Sequence, residues 1–412
     1  MGDGIIGAGA RGAIVRARSV AAGVSDYAAL RVTTPQSIET SSSAASSGGF
    51  WTLFFLFSFE LIALMVARLP QLMRFESFAF CDRGANLTLQ YLVAKGYRPA
   101  IDFGYHYGLL SVLVGRGWFA IFGASPFAYQ LAMLACNILF AWALAKLATR
   151  LQVRGLGLAL MVIMLGFAFQ ASYPNLAQGL EAVLLSHALA EQAAGSRANA
   201  LALATAAIFT KPSMGYVYGL VLIILFVRDL ARTGFNSRRL LAIVAPAVII
   251  FLVLATTLAI TYGSKVLLRT VLPIEGATAY HSLNFGLMGS GRALWDPTGK
   301  PWIYYLIDPA GFWIASGAFL LGAGLLQLRA LAVDEVSARS AEVILTCAIL
   351  HVAFLTLFFG NQWSWIYYSY LPVVGCAIAL NLGPAWRLGG FAICVIAVLS
   401  WTSTVYWLHE QG

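Results

Sequence analysis

From residue 50 onward the chain is a succession of long apolar runs broken by short polar connections. A bilayer core about 30 Å thick needs roughly 20 apolar residues per helix. Runs of that kind lie near 50–69, 127–148, 155–171, 240–262, 310–328, 341–360, 365–382 and 388–407, with shorter or more polar ones near 179–193, 199–210 and 213–227. The pattern predicts an all-α polytopic membrane protein with about eleven transmembrane helices.

The segment from Gly108 to Gly123 breaks the pattern. At about 1.5 Å per residue it reaches only about 24 Å, and Arg116 stands in its middle. If it crossed the bilayer, Arg228, Arg232, Arg238 and Arg239 would lie opposite the basic N-terminal tail. If it lies along the interface or re-enters, they share one side with Lys146, Arg150, Arg154, Arg197, Arg329, Arg339 and Arg387, as the positive-inside bias favours. The second arrangement leaves two long outer loops, about 70–126 and 263–309, the first holding an interfacial helix. It also makes residues 1–49 a disordered cytoplasmic tail, with Ser41–Gly49 as a flexible lead into the membrane domain of residues 50–412.

Composition agrees with a membrane domain: 60% of the 412 residues are hydrophobic and 10% charged, against about 25% charged in soluble domains. The net charge of +9 is spread between apolar runs and not gathered on a soluble face, so no nucleic-acid partner is expected. Cys136, Cys347, Cys376 and Cys394 fall inside apolar runs and no CxxC spacing occurs, so neither a zinc site nor a disulfide framework is predicted.

Chemistry concentrates in the first outer loop. It reads Asp82-Arg83-Gly84, then Gly96-Tyr97-Arg98-Pro99, then Asp102-Phe103-Gly104-Tyr105-His106-Tyr107-Gly108. Asp82 and Asp102, each near an arginine, are candidates for a general base; equally, loop aspartates cap helices or pair with Arg83 and Arg98. Lys211 stands between two apolar runs and before Pro212, which marks either a helix end from which the chain snorkels or a functional cation. Glu60, within the first run, stays unassigned. His187 and His351 are expected to be satisfied interhelical partners. The second outer loop carries Arg269 and Arg292 among several charges and aromatics, and Trp363 follows Asn361-Gln362 in an aromatic cluster. These could bind a sugar and its phosphate, or form an interfacial belt.

The order of one span, a loop opening with Asp82, the stretch Gly96-Tyr97-Arg98-Pro99, Asp102-Phe103, Tyr107-Gly108 and an apolar segment ending Phe122-Gly123 resembles the GT-C superfamily of polytopic membrane glycosyltransferases, with its protein mannosyltransferases, aminoarabinose transferases and bacterial homologues. The run ending Phe209-Thr210-Lys211-Pro212-Ser213-Met214-Gly215 is similar to a helix pair in which many bacterial members carry a lysine before Pro or a small residue. The resemblance implies a catalytic aspartate in the first outer loop, at Asp82, and a sugar donor linked to polyprenyl phosphate. It implies a bacterial inner membrane, with the N-terminus cytoplasmic and the active site at the outer face. Arg83 replaces the carboxylate that many members carry next, which puts a metal-bridging role in doubt; no cofactor is expected, a divalent metal being the alternative.

On that reading Asp82 and Asp102 are the catalytic candidates. Lys211, Arg83, Arg269 and Arg292 are the donor-phosphate candidates, and Tyr105, His106, Tyr107 and Trp363 contact substrate. The acceptor is open. The alternatives are a lipid-linked glycan polymerase or ligase, with its chemistry in the second outer loop, and a transporter or flippase.

Overall fold

A computed structural model describes residues 42–73, 82–105, 107–170, 176–234, 236–272, 335–358 and 370–381, with the single positions 320, 322, 389, 392 and 395. Twelve helices and no strand occur among the described residues. In chain order they are α1 (Ser42–Leu72), α2 (Asp82–Ala94), α3 (Leu109–Phe122), α4 (Pro126–Arg150), α5 (Gly155–Gln170) and α6 (Leu176–Ala193), then α7 (Arg197–Ile208), α8 (Pro212–Thr233), α9 (Ser237–Tyr262), α10 (Ser264–Val271), α11 (Glu335–Phe358) and α12 (Tyr370–Ala379). Contacts divide the chain into two units, residues 1–49 and 50–412. In the first unit the described residues, 42–49, are helical.

Four stretches, Gly49–Ala67, Pro126–Arg150, Pro212–Ala231 and Ser237–Tyr262, are long and apolar enough to cross a membrane. By length and composition they mark an integral membrane protein. The expected runs near 310–328 and 388–407 lie outside the described residues, apart from isolated positions.

Local chemistry accounts for the helix ends. Ser125 caps α4 by accepting from the Ala128 amide, with Pro126 in the first turn and Arg150 in the last, where its charge complements the helix dipole. Asn236 caps α9 through the Arg239 amide, and Gly263 ends that helix at φ 95°, a value that glycine adopts without strain.

The bundle is built on α6, α7 and α8. Helix α7 is alanine-rich, and Ala200, Ala204 and Ala207 are fully buried; small side chains let α6, α8 and α9 all pack against it. At Gly215 of α8 a Cβ would stand 2.6 Å from the Ile208 amide nitrogen, so glycine permits the close approach of α7 and α8. These two helices form an antiparallel hairpin: Arg197 at the start of α7 meets Asp229 near the end of α8 at 3.1 Å, and Phe209-Thr210-Lys211 is its tip. The hairpin therefore has two ends, here called the basic end, at Arg197 and Asp229, and the loop end, at Lys211.

Apolar packing is divided in the same way. The large core joins α1, α3 to α8, α11 and α12. A smaller one lies at the loop end, where Leu89 and Val93 of α2, Leu109 and Val112 of α3, Phe209, Leu258 and Tyr262 of α9 and Val266 of α10 are buried together.

Candidate functional site

The first loop is attached to the hairpin tip by its backbone. The Gly108 amide donates to the Thr210 carbonyl at 2.8 Å and the Leu110 amide to the Phe209 carbonyl at 2.8 Å. Only glycine fits at position 108, because a Cβ there would lie 2.0 Å from the Phe209 carbonyl oxygen. Helix α3 follows directly. Its fourteen residues rise only about 21 Å, and it belongs to the shorter apolar helices rather than to the candidate spans. It packs against α2, α4, α6 and α9, and the Trp118 indole N–H donates to the Ala128 carbonyl at 2.8 Å.

This docking brings Tyr107 to Lys211. The Lys211 Nζ lies 6.0 Å from the centre of the Tyr107 ring, within range of a cation–π attraction. It also lies 3.9 Å from Oε2 of Glu181 on α6. Lys211 is 8% exposed and Glu181 1% exposed. Burying two charges is costly unless each finds partners, so a chain that keeps this pair inside an apolar bundle presents a functional candidate. Glu181 was missed in reading the sequence. It lies within the apolar run 179–193, and the rule that singles out Lys211 applies equally to it.

The other predicted residues divide into those that brace the loop and those whose placement is not described. Asp102 is a brace: its carboxylate accepts from the Arg98 backbone amide at 2.7 Å and from Nε and Nη2 of the same arginine at 3.2 Å each. These bonds hold the Asp102 carboxyl below the usual carboxylate range, the side-chain bond from Arg98 being the largest cause. The alternative of an Arg98 partner therefore describes Asp102 as it stands. Tyr105 is a second brace. Its hydroxyl is 2.9 Å from Ser111 Oγ and donates to the Gly108 carbonyl at 3.2 Å, and burial pushes its phenol above its ordinary range.

Arg269 of α10 is a third, donating to the Ala100 carbonyl at 2.9 Å; Ala100 holds a φ of 59° there. Tyr216, on the second turn of α8, donates to the Val271 carbonyl at 2.9 Å and so ties α10 to the hairpin. Asp82 and Arg83 open α2, their side chains lying outside the description, while His106, Arg292 and Trp363 lie outside the described residues altogether. Among the described residues no group of three or more His, Cys, Asp or Glu side chains could hold a metal ion.

At the basic end the charges are knitted together. Arg197 reaches Asp229 at 3.1 Å and Glu342 at 2.7 Å, and Arg228 reaches Asp229 at 2.8 Å and also Glu342. Lys146 pairs with Glu191, which accepts in addition from Asn199 at 3.3 Å. Arg339 donates to the Ala193 carbonyl at 3.4 Å, and Gln192 links Tyr218 at 2.8 Å to Thr346 at 2.9 Å. His187 is an interhelical partner, as expected, 3.0 Å from the Leu139 carbonyl.

The chain matches no protein-family model, and no curated protein or solved structure matches it either.

Proposed function

We propose that this protein is a polytopic membrane glycosyltransferase of the GT-C kind, taking a sugar from a polyprenyl-phosphate donor and passing it to an acceptor hydroxyl or amine at the outer face of a bacterial inner membrane. The observation that carries the reading is the buried Lys211 cation at the point where the first loop meets the hairpin tip. The twenty residues Pro212–Ala231 are long enough to cross a core about 30 Å thick. With the basic end at one surface, Lys211, just before Pro212, then stands near the other, at a depth suited to a lipid phosphate. Lys211 supplies a point charge for that phosphate, and the amino end of α8 adds positive potential.

In this reading the polyprenyl tail lies against the exposed apolar faces of α8 and α9, where Leu220, Ile224, Ile249 and Leu252 are uncovered. About eleven spans surround the site, and α3 re-enters from the outer face. Asp82 at the start of α2 is the base that takes the acceptor proton, because the Asp102 carboxylate is engaged by Arg98. Arg83 and Arg292 complete the phosphate's neutralisation, His106 and Trp363 contact the sugar, and Arg269 contributes by holding the loop. No cofactor is required.

The test is turnover of a radiolabelled polyprenyl-phosphate sugar by purified full-length protein of equal thermal stability. Asp82→Asn should lower turnover about 10²- to 10⁴-fold, as for loss of a general base. Lys211→Met should raise the donor KM about tenfold or more, as for loss of a bond to a charged group. Unchanged kinetics in Lys211→Met would remove the donor-phosphate site, and full activity in Asp82→Asn would move the base elsewhere.

A further inference from the structure

Resting on the donor reading above, we infer that Glu181 is a specificity-determining residue: its buried carboxylate beside Lys211 offsets part of the cation's stronger pull on a phosphate monoester and so eases release of the lipid product. The charges decide the direction. In the proposed transfer the acceptor oxygen bonds to the anomeric carbon, and the acceptor proton passes to the carboxylate base. The bond between the anomeric carbon and the phosphate oxygen breaks with its electron pair left on that oxygen. A phosphodiester carrying one negative charge becomes a monoester carrying about 1.5 to 2 at neutral pH.

Glu181 Oε2 lies 3.9 Å from Lys211 Nζ, so a phosphate oxygen at a hydrogen-bond distance of about 2.8 Å from Nζ lies within about 7 Å of the carboxylate. At that range, in surroundings shielded from water, the product's extra charge is repelled enough to change affinity by about tenfold or more. The donor, with one charge, feels both the pull of Lys211 and the push of Glu181 about half as strongly. Lys211 thus favours the monoester, and Glu181 takes back part of that preference. A carboxylate kept merely to brace Lys211 would strengthen or weaken both by the same factor.

The experiment uses full-length protein in nanodiscs of zwitterionic lipid, with a polyprenyl monophosphate and its methyl diester as probes in equilibrium titrations. The monoester-to-diester affinity ratio of the parent is the reference. Glu181→Gln should tighten monoester binding about tenfold more than diester binding, and product inhibition should rise in parallel. Glu181→Asp, which retains the charge but draws it back by one methylene, should fall between the two. It decides the matter if the glutamine variant does not fold. A monoester-to-diester ratio unchanged from the parent in the variants that fold overturns this role while leaving the donor site standing. Failure of both probes to bind the folded parent overturns the donor reading and this inference together.

Discussion

The two ends of the α7–α8 hairpin use the same residue types in opposite ways. At the basic end two arginines meet two carboxylates in a closed four-membered set joining α7, α8 and α11. Each member is partly solvated and engages two partners, so the charge is consumed in holding helices together. At the loop end one lysine and one glutamate stand deeper and at longer range, between a loop aromatic and the apolar bundle. The ion pair of that loop, Arg98–Asp102, is by contrast out in solvent. The difference teaches that the number of charges marks nothing here. Burial and separation set the lysine at the loop end apart from the arginines that tie the bundle.

Disrupting the basic end should have the largest effect on stability. Glu342→Gln removes one carboxylate facing two arginines, and breaking a partly buried set of this kind should cost about 3 kcal/mol. Donor KM and turnover measured below the melting transition should stay at parental values. A kinetic change without loss of stability would show that the two ends are coupled and not separate in purpose.

The loop end should be broken most directly by Gly108→Ala. Its methyl group would overlap the Phe209 carbonyl, and overpacking of this sort costs about 1–3 kcal/mol. The expected result is faster amide exchange at Gly108 and Leu110 with the basic end still protected, together with loss of activity. Parental exchange at Leu110 would mean that the docking is not needed to hold the tip.

The smallest effect belongs to Asp102→Asn, since an ion pair this exposed is screened by solvent and contributes little. The folded-state pKa of Asp102 is lowered, so its contribution is present above the ordinary carboxylate value of about 3.9 and is lost as pH falls through the folded value. Amide exchange across residues 98–102 should therefore differ between parent and variant at pH 6 and converge only as pH falls through that lowered folded value. A difference that persists in acid would assign the bracing to another group.

How much of the site was legible depends on the range of the signal. Lys211 could be singled out because its whole signal is local: a cation between two apolar runs and before a proline. Glu181 carried the same signal and was passed over in a run already taken for a shorter span. The brace between Arg98 and Asp102 was foreseeable as an alternative, since both belong to one short stretch. The contact of Gly108 with the hairpin tip was not, because backbone hydrogen bonds between residues about a hundred positions apart leave no mark in either segment. The resemblance to a glycosyltransferase superfamily rests on the order of short motifs alone, and it therefore stands as a proposal.

By itself, the sequence determined the helical class and most helix positions among the described residues, because hydrophobic run length and capping residues act over a few turns of chain. Residues 108–123, read as short for a span, form the fourteen-residue helix α3, shorter than the candidate spans. Only the tertiary structure decided which charges meet. Arg197 finds Glu342 across 145 positions, and Lys211 finds Glu181 across the α6–α7 turn. Such pairings depend on how α6, α7, α8 and α11 dock, which is set by small residues such as Ala204 and Gly215 at their contacts. No local pattern encodes it, because ion pairs form wherever packing brings opposite charges together, whatever their separation along the chain.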